Sequence, residues 1–443
     1  SLGKYLIAMG MWLTDRLPLP SNLSLNDLSG SLRSPISYRW MNALAGSLMP
    51  LVVAGIAYQL SHRRSYAWVA SLFTAVDGLL LVESRYALIN IYLVLFGLLG
   101  HWFFLSALNS QAKQRKIWLV AAGISMGACI AVKWNGLGFL LGLYLLWLLA
   151  KLIWQIQPQT AATIHPRCMP WQNLGQLQPS SVCFYLGVLP AWVYVLFWIP
   201  HLRLNPSNFW TVHADMLSYH LSLGADAHPA CSAWYTWPFM MRPVTYVFRK
   251  AYSLTEPIDA LGPTPPPENW QVAYDVHAMG NPILWWLSTA AILLMAGFLI
   301  QQVWILLKHQ QNLKPIAHRL SPIAYHPSSH PNPRPKSHPL PIPSQVWIPF
   351  YLVVNYAANW LPWAGVERCL FLYHYMTASV FALMAIAWLV SRWLQHPQPK
   401  WRIAGAMAIL LVLLAFVFWL PIYLGLPLSP EAWRSRWWIA SWQ

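Results

Sequence analysis

The chain has 443 residues, of which 57% are apolar and only 9% are charged. Charged residues make up about a quarter of an ordinary soluble domain, so this composition is typical of a membrane protein. The formal net charge of +16 could suggest a nucleic-acid-binding protein. However, the cations lie in short segments between apolar runs and form no basic, aromatic-rich soluble face. We therefore expect a protein that spans the lipid bilayer and does not bind nucleic acid.

Ten apolar runs are mostly long enough to cross a bilayer, which takes about 17–25 residues of helix. The runs are 40–60, 66–82, 86–108, 117–132, 136–153, 181–200, 281–303, 346–364, 371–391 and 403–423. They predict an all-α polytopic fold with about ten transmembrane helices. The predicted organisation is an exoplasmic interfacial segment (1–39), transmembrane helices with short loops (40–200), a large exoplasmic loop (201–280), one transmembrane helix (281–303), a cytoplasmic Pro/His-rich linker (304–345), further transmembrane helices (346–423) and an exoplasmic end (424–443).

The charges between the runs alternate in sign and predict the orientation. Five segments carry Lys and Arg without Asp or Glu: 61–65, 109–116, 151–178, 302–345 and 391–402. Cytoplasmic loops are enriched in Lys and Arg, so these segments are predicted to be cytoplasmic. The intervening segments carry the acidic residues, with only Asp77 inside a run, and are predicted to be exoplasmic.

Neither the histidines nor the cysteines indicate a metal site. His318, His326, His330 and His338 lie in the linker without helical spacing or acidic or Cys co-ligands. Five scattered cysteines make no disulfide framework. Cys231 and Cys369 are both predicted to be exoplasmic, so a bridge between them is compatible with that compartment.

Several ionisable residues lie where the apolar runs meet the exoplasmic side. Arg85 lies between the second and third runs, Lys133 between the fourth and fifth, and Arg368 and His374 at the junction of the eighth and ninth. Arg242 lies in the large exoplasmic loop. Ionisable residues at membrane depth are costly and mark functional sites, although each cation could also snorkel or pair with a nearby acid. Cations beside amphipathic aromatic residues suit a lipid-linked phosphate whose sugar stacks on rings.

Six segments in order then carry a family resemblance over nearly the whole chain. They are ESRYALINIYLVLFGLLG (83–100), VKWNGL (132–137), YHLSLGADAHPACSAWYTWPFMMRPVTY (219–246), MGNPILWW (279–286), NWLPW with ERCLFLYHY (359–375) and LPIYLGLPLSPEAWRSRWWIASW (420–442). This series resembles the dolichyl-phosphate-mannose–protein mannosyltransferases, in the bacterial branch without an extra loop domain. The linker and much of 14–38 lie outside the resemblance.

The resemblance implies a multi-helix glycosyltransferase of the C type with an exoplasmic active site, in a bacterial plasma membrane. Mannose would pass, with inversion, from a polyprenyl phosphate to a Ser or Thr hydroxyl of a translocated protein. The implied partners are polyprenyl-phosphate-mannose, secreted or membrane acceptor proteins and the bilayer. No metal or other cofactor follows from the residues, and neither does an oligomeric state.

The resemblance also implies residue roles. Arg85 is assigned to the donor phosphate, and Lys133, Arg242, Arg368 and His374 to the donor phosphate or sugar. The residues assigned to the wall of the donor and acceptor site are Tyr219, His220, His228, Trp234, Tyr235, Trp237 and Tyr373.

Two departures from the family pattern affect catalysis. The family's catalytic Asp-Glu pair precedes a segment resembling 1–4, and no adjacent Asp-Glu pair occurs in this chain. We therefore expect that the chain is incomplete at its N-terminus, with an eleventh helix in the whole protein, and that it is inactive alone. Asn90 stands where many relatives have Asp. Glu83 is a weak candidate base because we expect it to pair with Arg85, and Asp77 is a weaker one.

Alternatives remain open from the sequence. The chain could belong to a transferase of the same fold that acts on lipid or glycan, since fold does not fix the acceptor. It could be a non-catalytic family member that binds lipid-linked sugar. A transporter or flippase is disfavoured, because the sequence has no internal repeat and no correspondingly broken helices.

Overall fold

The computed structural model describes residues 2–17, 33–156, 170–205, 208–222, 224, 228–256, 264–318 and 344–442. The helices of the first half are α1 (Leu2–Thr14), α2 (Pro35–Ser61), α3 (Arg64–Ala75), α4 (Gly78–Arg85), α5 (Asn90–Leu108), α6 (Ala112–Val132), α7 (Leu137–Ile156), α8 (Pro170–Gly175), α9 (Pro179–Val182), α10 (Leu189–Leu204) and α11 (Phe209–Ser222). Those of the second half are α12 (Pro282–His318), α13 (Ser344–Trp360), α14 (Met376–Leu394), α15 (Pro399–Leu424) and α16 (Pro430–Arg434).

The described helices confirm a polytopic all-α membrane fold. Eight of them are long and apolar enough to cross a bilayer, and the bent pair α3 and α4 brings the number to nine if it is counted as one span. The predicted run 346–364 corresponds to the shorter helix α13 and a 3₁₀ turn, Leu361–Gly365. Helices α5 and α14 lie at the centre, and most of their residues are buried.

The helix ends follow from local chemistry. Helix α2 begins with Pro35 after Ser34, whose side chain accepts a hydrogen bond from the Ile36 backbone N–H. Helix α15 begins with Pro399 and ends at Gly425, which has a φ of +68° and donates its N–H to the Pro421 carbonyl.

The second predicted span is broken at Asp77. Helices α3 and α4 meet at an angle of 58°. The Asp77 side chain accepts from the Leu80 backbone N–H at 2.9 Å and from Trp285 Nε1 at 2.6 Å. Asp77 is therefore the N-cap of α4 and is bound to α12, which makes it a structural residue rather than a candidate base.

Two predicted segments need correction. The predicted loop 201–280 contains α11, the 3₁₀ turn Trp234–Phe239 and an antiparallel hairpin of β1 (Val244–Ala251) and β2 (Val272–Ala278). The predicted linker 304–345 is helical at its start, because α12 continues to His318. His326, His330 and His338 lie outside the described residues.

The hairpin is irregular at one position. Thr245 is opposite His277, but Val247 is opposite Val276, so Tyr246 is an extra residue in β1. Such a β-bulge redirects side chains and is over-represented near functional sites.

Candidate functional site

A large cavity of about 1310 Å³ lies where α6 meets α7 and α13 meets the loop before α14. Its polar lining includes Lys133, Asn135, His220, Asn359 and Arg368. Apolar side chains of α6, α7 and α10 form much of the rest: Ile130, Leu137, Leu140, Leu141, Tyr144 and Trp198. The lining also includes the Glu367 carboxylate beside Arg368. The cavity therefore joins a polar end, which carries two cations and one carboxylate, to an apolar wall.

Lys133 lies in the turn between α6 and α7, just outside both helices. Its ammonium group donates to Asn90 Oδ1 at 3.5 Å and lies 5.5 Å from the centre of the Tyr373 ring. Burial, reinforced by the positive charge of Arg368, lowers the pKa of Lys133 to about 8, and Glu83 opposes this shift. In the described part of the chain, no carboxylate oxygen lies within 4.0 Å of the Lys133 ammonium.

Glu83 lies behind Lys133 and is fully buried in α4. One carboxylate oxygen accepts from the Tyr246 hydroxyl, and the other accepts from Asn90 Nδ2 at 3.2 Å. Burial and the adjacent Glu83 raise the pKa of Tyr246, so its hydroxyl keeps the proton that it donates. This arrangement suits an ionised carboxylate, which can only accept hydrogen bonds.

The predicted pairing of Glu83 with Arg85 is wrong. Arg85 follows Glu83 by two residues on a helix, so the two side chains leave α4 in different directions. The Arg85 guanidinium instead donates to the backbone carbonyls of Tyr423 at 2.5 Å and Leu424 at 3.2 Å. Arg85 thus binds the C-terminal end of α15, where a cation is favourable, and it is not among the cavity-lining residues.

A disulfide fastens the loop before β1 to the loop before α14. Cys231 and Cys369 are bonded, a pairing that the sequence left open as compatible with one compartment. The Ser232 N–H also donates to the Leu370 carbonyl at 2.8 Å. This attachment fixes Arg368, which lines the cavity beside the bridge.

Arg242 supports the same loop from outside the cavity. Its Nη1 donates to the carbonyls of Pro229 at 3.3 Å and Cys231 at 3.0 Å. Arg242 is exposed and is not a cavity-lining residue. The structure therefore gives it contacts that shape the loop and does not place it with Lys133 and Arg368.

The predicted aromatic residues divide into buried and exposed groups. Trp237 is fully buried and stacks 6.2 Å from the ring of His374, which is 2% exposed. The His374 ring also lies 4.7 Å from that of Tyr373. Trp234 is half-buried against Trp360, with ring centres 4.8 Å apart. Trp237 and His374 thus support the site from behind.

The other predicted wall residues lie on the exposed side. Tyr235 is 61% exposed and Tyr219 is 62% exposed. His228 accepts the Ala230 N–H on its Nδ1 at 3.0 Å and lies 5.5 Å from the Phe371 ring. His220, next to Tyr219, is the one member of this predicted set that the cavity lining includes.

Helix α11 is fixed over the cavity by a chain of hydrogen bonds. Trp134 Nε1 donates to the Tyr194 hydroxyl at 2.9 Å, and that hydroxyl donates to His213 Nε2 at 2.6 Å. His213 Nδ1 lies 2.7 Å from the Phe209 carbonyl, so Nδ1 carries the proton. These contacts place His220 of the same helix in the cavity wall.

Several residues of this site have no predicted role from the sequence: Tyr246, Asn135 and Asn359. Asn90 stands out in the sequence only as a departure from the family pattern. Tyr246 ends the quoted segment 219–246, and Asn135 lies in VKWNGL, so both were near recognised residues. Among the described residues, no group of three or more His, Cys, Asp or Glu side chains could hold a metal ion.

The fold and the cavity define a multi-pass membrane protein with a cationic site beside an apolar wall. Two protein-family profiles cover the chain: "Dolichyl-phosphate-mannose-protein mannosyltransferase" matches residues 1–204, and "C-terminal four TMM region of protein-O-mannosyltransferase" matches residues 206–442. The chain therefore belongs to the protein O-mannosyltransferase family, and it is a glycosyltransferase.

Individual relatives agree with the family. The polyprenol-phosphate-mannose–protein mannosyltransferase of Mycolicibacterium smegmatis is 22% identical over 100% of this chain and 81% of its own length. Protein O-mannosyl-transferase 1 of Rattus norvegicus is 28% identical over 46% of this chain and 26% of its own length.

A solved structure shares the fold. The S. cerevisiae protein O-mannosyltransferase Pmt1–Pmt2 complex bound to the sugar donor matches with a TM-score of 0.63. The match has 12% sequence identity and covers 100% of this chain and 85% of that one.

Proposed function

We propose that the protein transfers mannose from polyprenyl-phosphate-mannose to Ser or Thr hydroxyls of translocated proteins. The acceptor hydroxyl loses its proton to a general base as its oxygen attacks the anomeric carbon. The bond from that carbon to the phosphate oxygen breaks, its electron pair leaves with the phosphate, and the configuration inverts. The observation that carries the proposal is the cavity, where Lys133 and Arg368 lie beside an apolar wall. The names of the mycobacterial relative and the yeast complex support this donor and a protein acceptor.

Lys133 and Arg368 are proposed to bind the donor phosphate. Negative charge increases on the leaving phosphate oxygen as the glycosidic bond breaks, and fixed cations stabilise that charge best where water is scarce. The side chains Leu140, Leu141 and Tyr144 would hold the first units of the polyprenyl tail. Arg85 remains a predicted phosphate ligand, although its guanidinium already donates to two carbonyls of α15.

Glu83 is proposed to act electrostatically rather than as a base. Both of its carboxylate oxygens already accept hydrogen bonds from Tyr246 and Asn90. A base must lie within hydrogen-bond reach of the acceptor hydroxyl. We therefore assign Glu83 the role of a positioning residue that holds Lys133 charged through Asn90.

The site is proposed to face the exoplasm of a bacterial plasma membrane. The cavity lies at the end of the bundle that carries the Cys231–Cys369 bridge, and disulfides persist in oxidising compartments. Arg63, Lys116 and Lys400 lie at the opposite ends of their helices, where the positive-inside rule places the cytoplasm.

The test is mannose transfer by the full-length protein in liposomes. Radiolabelled polyprenyl-phosphate-mannose and a Ser/Thr-rich peptide are supplied, and the anomeric configuration of the product is determined by NMR. We expect labelled peptide with a configuration opposite to that of the donor. Lys133→Gln should lower kcat/KM for the donor about 30-fold or more, because a charge-assisted hydrogen bond contributes about 2 kcal/mol.

The matched control for Lys133→Gln is Arg434→Gln, which removes an exposed cation of α16 outside the cavity. That variant should retain wild-type transfer. Equal losses in the two variants would contradict a specific role for Lys133. Transfer to lipid or glycan but not to peptide would contradict the proposed acceptor.

A further inference from the structure

Helices α2 and α3 enclose a groove of about 390 Å³ on the outside of the helix bundle. We call it the α2–α3 groove, and its lining includes Gly55 and Tyr58 of α2 and Arg64, Ala67 and Trp68 of α3. Residues three or four positions apart share one face of a helix, so each helix contributes one face to the groove. The volume is within the range of about 300–1,000 Å³ that is usual for sites of small molecules.

The lining combines small residues with exposed aromatic residues. Ala54, Gly55 and Ala67 have little or no side chain and therefore leave the groove open. Trp68 is 75% exposed and Tyr58 is 43% exposed. Trp and Tyr are enriched where a membrane protein meets the lipid headgroups. The open space between these two rings suits an unbranched acyl chain.

A tight turn fixes the cationic end of the groove. His62 has a φ of +53° and donates its N–H to the Tyr58 carbonyl at 2.7 Å. This left-handed residue ends α2 and lets α3 begin at Arg64. Between them, Arg63 donates Nη1 to Gln395 Oε1 at 3.0 Å. These contacts hold Arg64 in the first turn of α3, where it lines the groove.

The guanidinium of Arg64 has no protein partner in the described part of the chain. Neither a hydrogen bond nor a salt bridge joins it to another described residue. The segment 109–116, which carries three cations, begins beside the end of α2, because Asn109 donates Nδ2 to Gln59 Oε1 at 2.7 Å. Neither this segment nor the turn 61–65 contains Asp or Glu. This end of the groove therefore attracts an anion.

We propose that the α2–α3 groove binds an anionic phospholipid of the cytoplasmic leaflet, with its phosphate at Arg64 and an acyl chain between Tyr58 and Trp68. A guanidinium binds phosphate oxygens through two parallel hydrogen bonds. The orientation proposed above places Arg64 at the cytoplasmic surface, where the leaflet carries anionic lipids. A soluble phosphate would leave the apolar part of the groove uncovered, whereas a phospholipid covers both parts. The site is additional to the donor cavity, which lies at the other end of the bundle.

The test is photo-crosslinking of the full-length protein in micelles of a neutral detergent. The probe is phosphatidylglycerol with a diazirine on one acyl chain, and peptide mass spectrometry locates its attachment. We expect attachment within residues 51–71. Unlabelled phosphatidylglycerol should displace the probe about tenfold better than phosphatidylcholine with the same chains, because the choline cation opposes binding beside Arg64.

Two variants address the two parts of the groove. Arg64→Gln should reduce the preference for phosphatidylglycerol to about twofold or less, because the cation that binds the phosphate is lost. Ala67→Leu should reduce attachment of the probe within 51–71, because the larger side chain occupies the space of the acyl chain. Thermal unfolding identifies any variant that fails to fold, and either variant alone keeps the test decisive.

The matched controls lie on α15, outside the groove. Arg402→Gln removes an exposed cation, and Ala406→Leu enlarges an exposed alanine. Both controls should bind the probe as the wild type does.

The outcomes separate a built site from ordinary lipid contact. A preference for phosphatidylglycerol that depends on Arg64 but not on Arg402 supports the proposal. Equal displacement by the two lipids in the wild type overturns it, because that is the result of non-selective contact with the bilayer. Equal losses in Arg64→Gln and Arg402→Gln, or attachment of the probe outside 51–71, overturn it as well. None of these results depends on mannose transfer, so the proposed function is tested separately.

Discussion

Glu83→Gln tests whether a buried carboxylate controls the charge of Lys133. The substitution removes one negative charge and keeps the shape of the side chain. Glu83 and Lys133 are joined through Asn90, whose Nδ2 donates to Glu83 and whose Oδ1 accepts from Lys133. If the Asn90 amide were turned by 180°, its oxygen would face the Glu83 carboxylate and its NH₂ group would face the Lys133 ammonium. Both contacts would be repulsive, so Glu83 and Lys133 fix the orientation of the amide.

The size of the effect follows from Coulomb's law. Two unit charges about 7 Å apart interact by about 2 kcal/mol at an effective dielectric constant of about 20. Because Lys133 is half-buried, screening reduces this value, and we expect its pKa to fall by about one unit from its value of about 8. The other charged or titratable cavity-lining groups are unchanged by the substitution; they are Arg368, Glu367, His220, Tyr144 and Tyr194.

The pH dependence has a definite sign. Lys133 is charged below its pKa, whereas a phosphodiester donor keeps its negative charge throughout the neutral range. Donor binding is therefore lost as pH rises through the pKa of Lys133, and it is lost at lower pH in Glu83→Gln. At pH 8.5 the protonated fraction of Lys133 falls about eightfold, and at pH 6.5 it changes by less than about 1.5-fold.

The assay is kcat/KM for the donor between pH 6 and 9, with Tyr86→Phe as the control. The Tyr86 ring lies 5.0 Å from that of Tyr246 but is not hydrogen-bonded to Glu83 in the structure. In the Tyr86→Phe control, kcat/KM for the donor should fall at alkaline pH as it does in the wild type. A Glu83→Gln profile that falls by the same factor at every pH would contradict the role of Glu83 in keeping Lys133 charged, because that is the result of a purely structural defect.

Two stability predictions follow from contacts far apart in sequence. Cys231→Ser removes the bridge to Cys369, which closes a loop of 138 residues and stabilises the fold by up to about 5 kcal/mol, so the thermal midpoint of unfolding should fall. The control Cys183→Ser changes a free cysteine and should leave the midpoint unchanged. Equal midpoints for the two variants would contradict the prediction. His101→Leu leaves the Tyr351 hydroxyl, 2.7 Å from His101 Nδ1, without its partner, at a cost of about 1–3 kcal/mol. Adding Tyr351→Phe should restore part of that loss in a double-mutant cycle, and strictly additive losses would contradict the coupling.

The bilayer-spanning helices could be predicted because membrane burial imposes a composition on each run. The break at Asp77 also had a local signal, since Asp followed by Gly interrupts an apolar run and Asp is a favoured N-cap. The start of α12 was predicted well, but its end was not, because Pro and His in the following segment obscured where the helix stops.

The site was less predictable because its contacts join distant segments. Tyr246 binds Glu83, which lies 163 residues earlier in the chain. The β-bulge that directs the Tyr246 side chain towards Glu83 has no signal in the local sequence. Arg85 has its partners in α15, more than 330 residues away. Lys133 and Arg368 could be named from their positions at span ends, whereas the cavity that brings them together with Asn135 and Asn359 is visible only in three dimensions.

The most direct test of the account is a cryo-EM structure of the full-length protein with polyprenyl-phosphate-mannose. We predict phosphate density within about 4 Å of the Lys133 ammonium, with the tail along Leu140 and Leu141. Phosphate density bound elsewhere, with ordinary phospholipid or water in the cavity, would contradict the assignment of this cavity as the donor site.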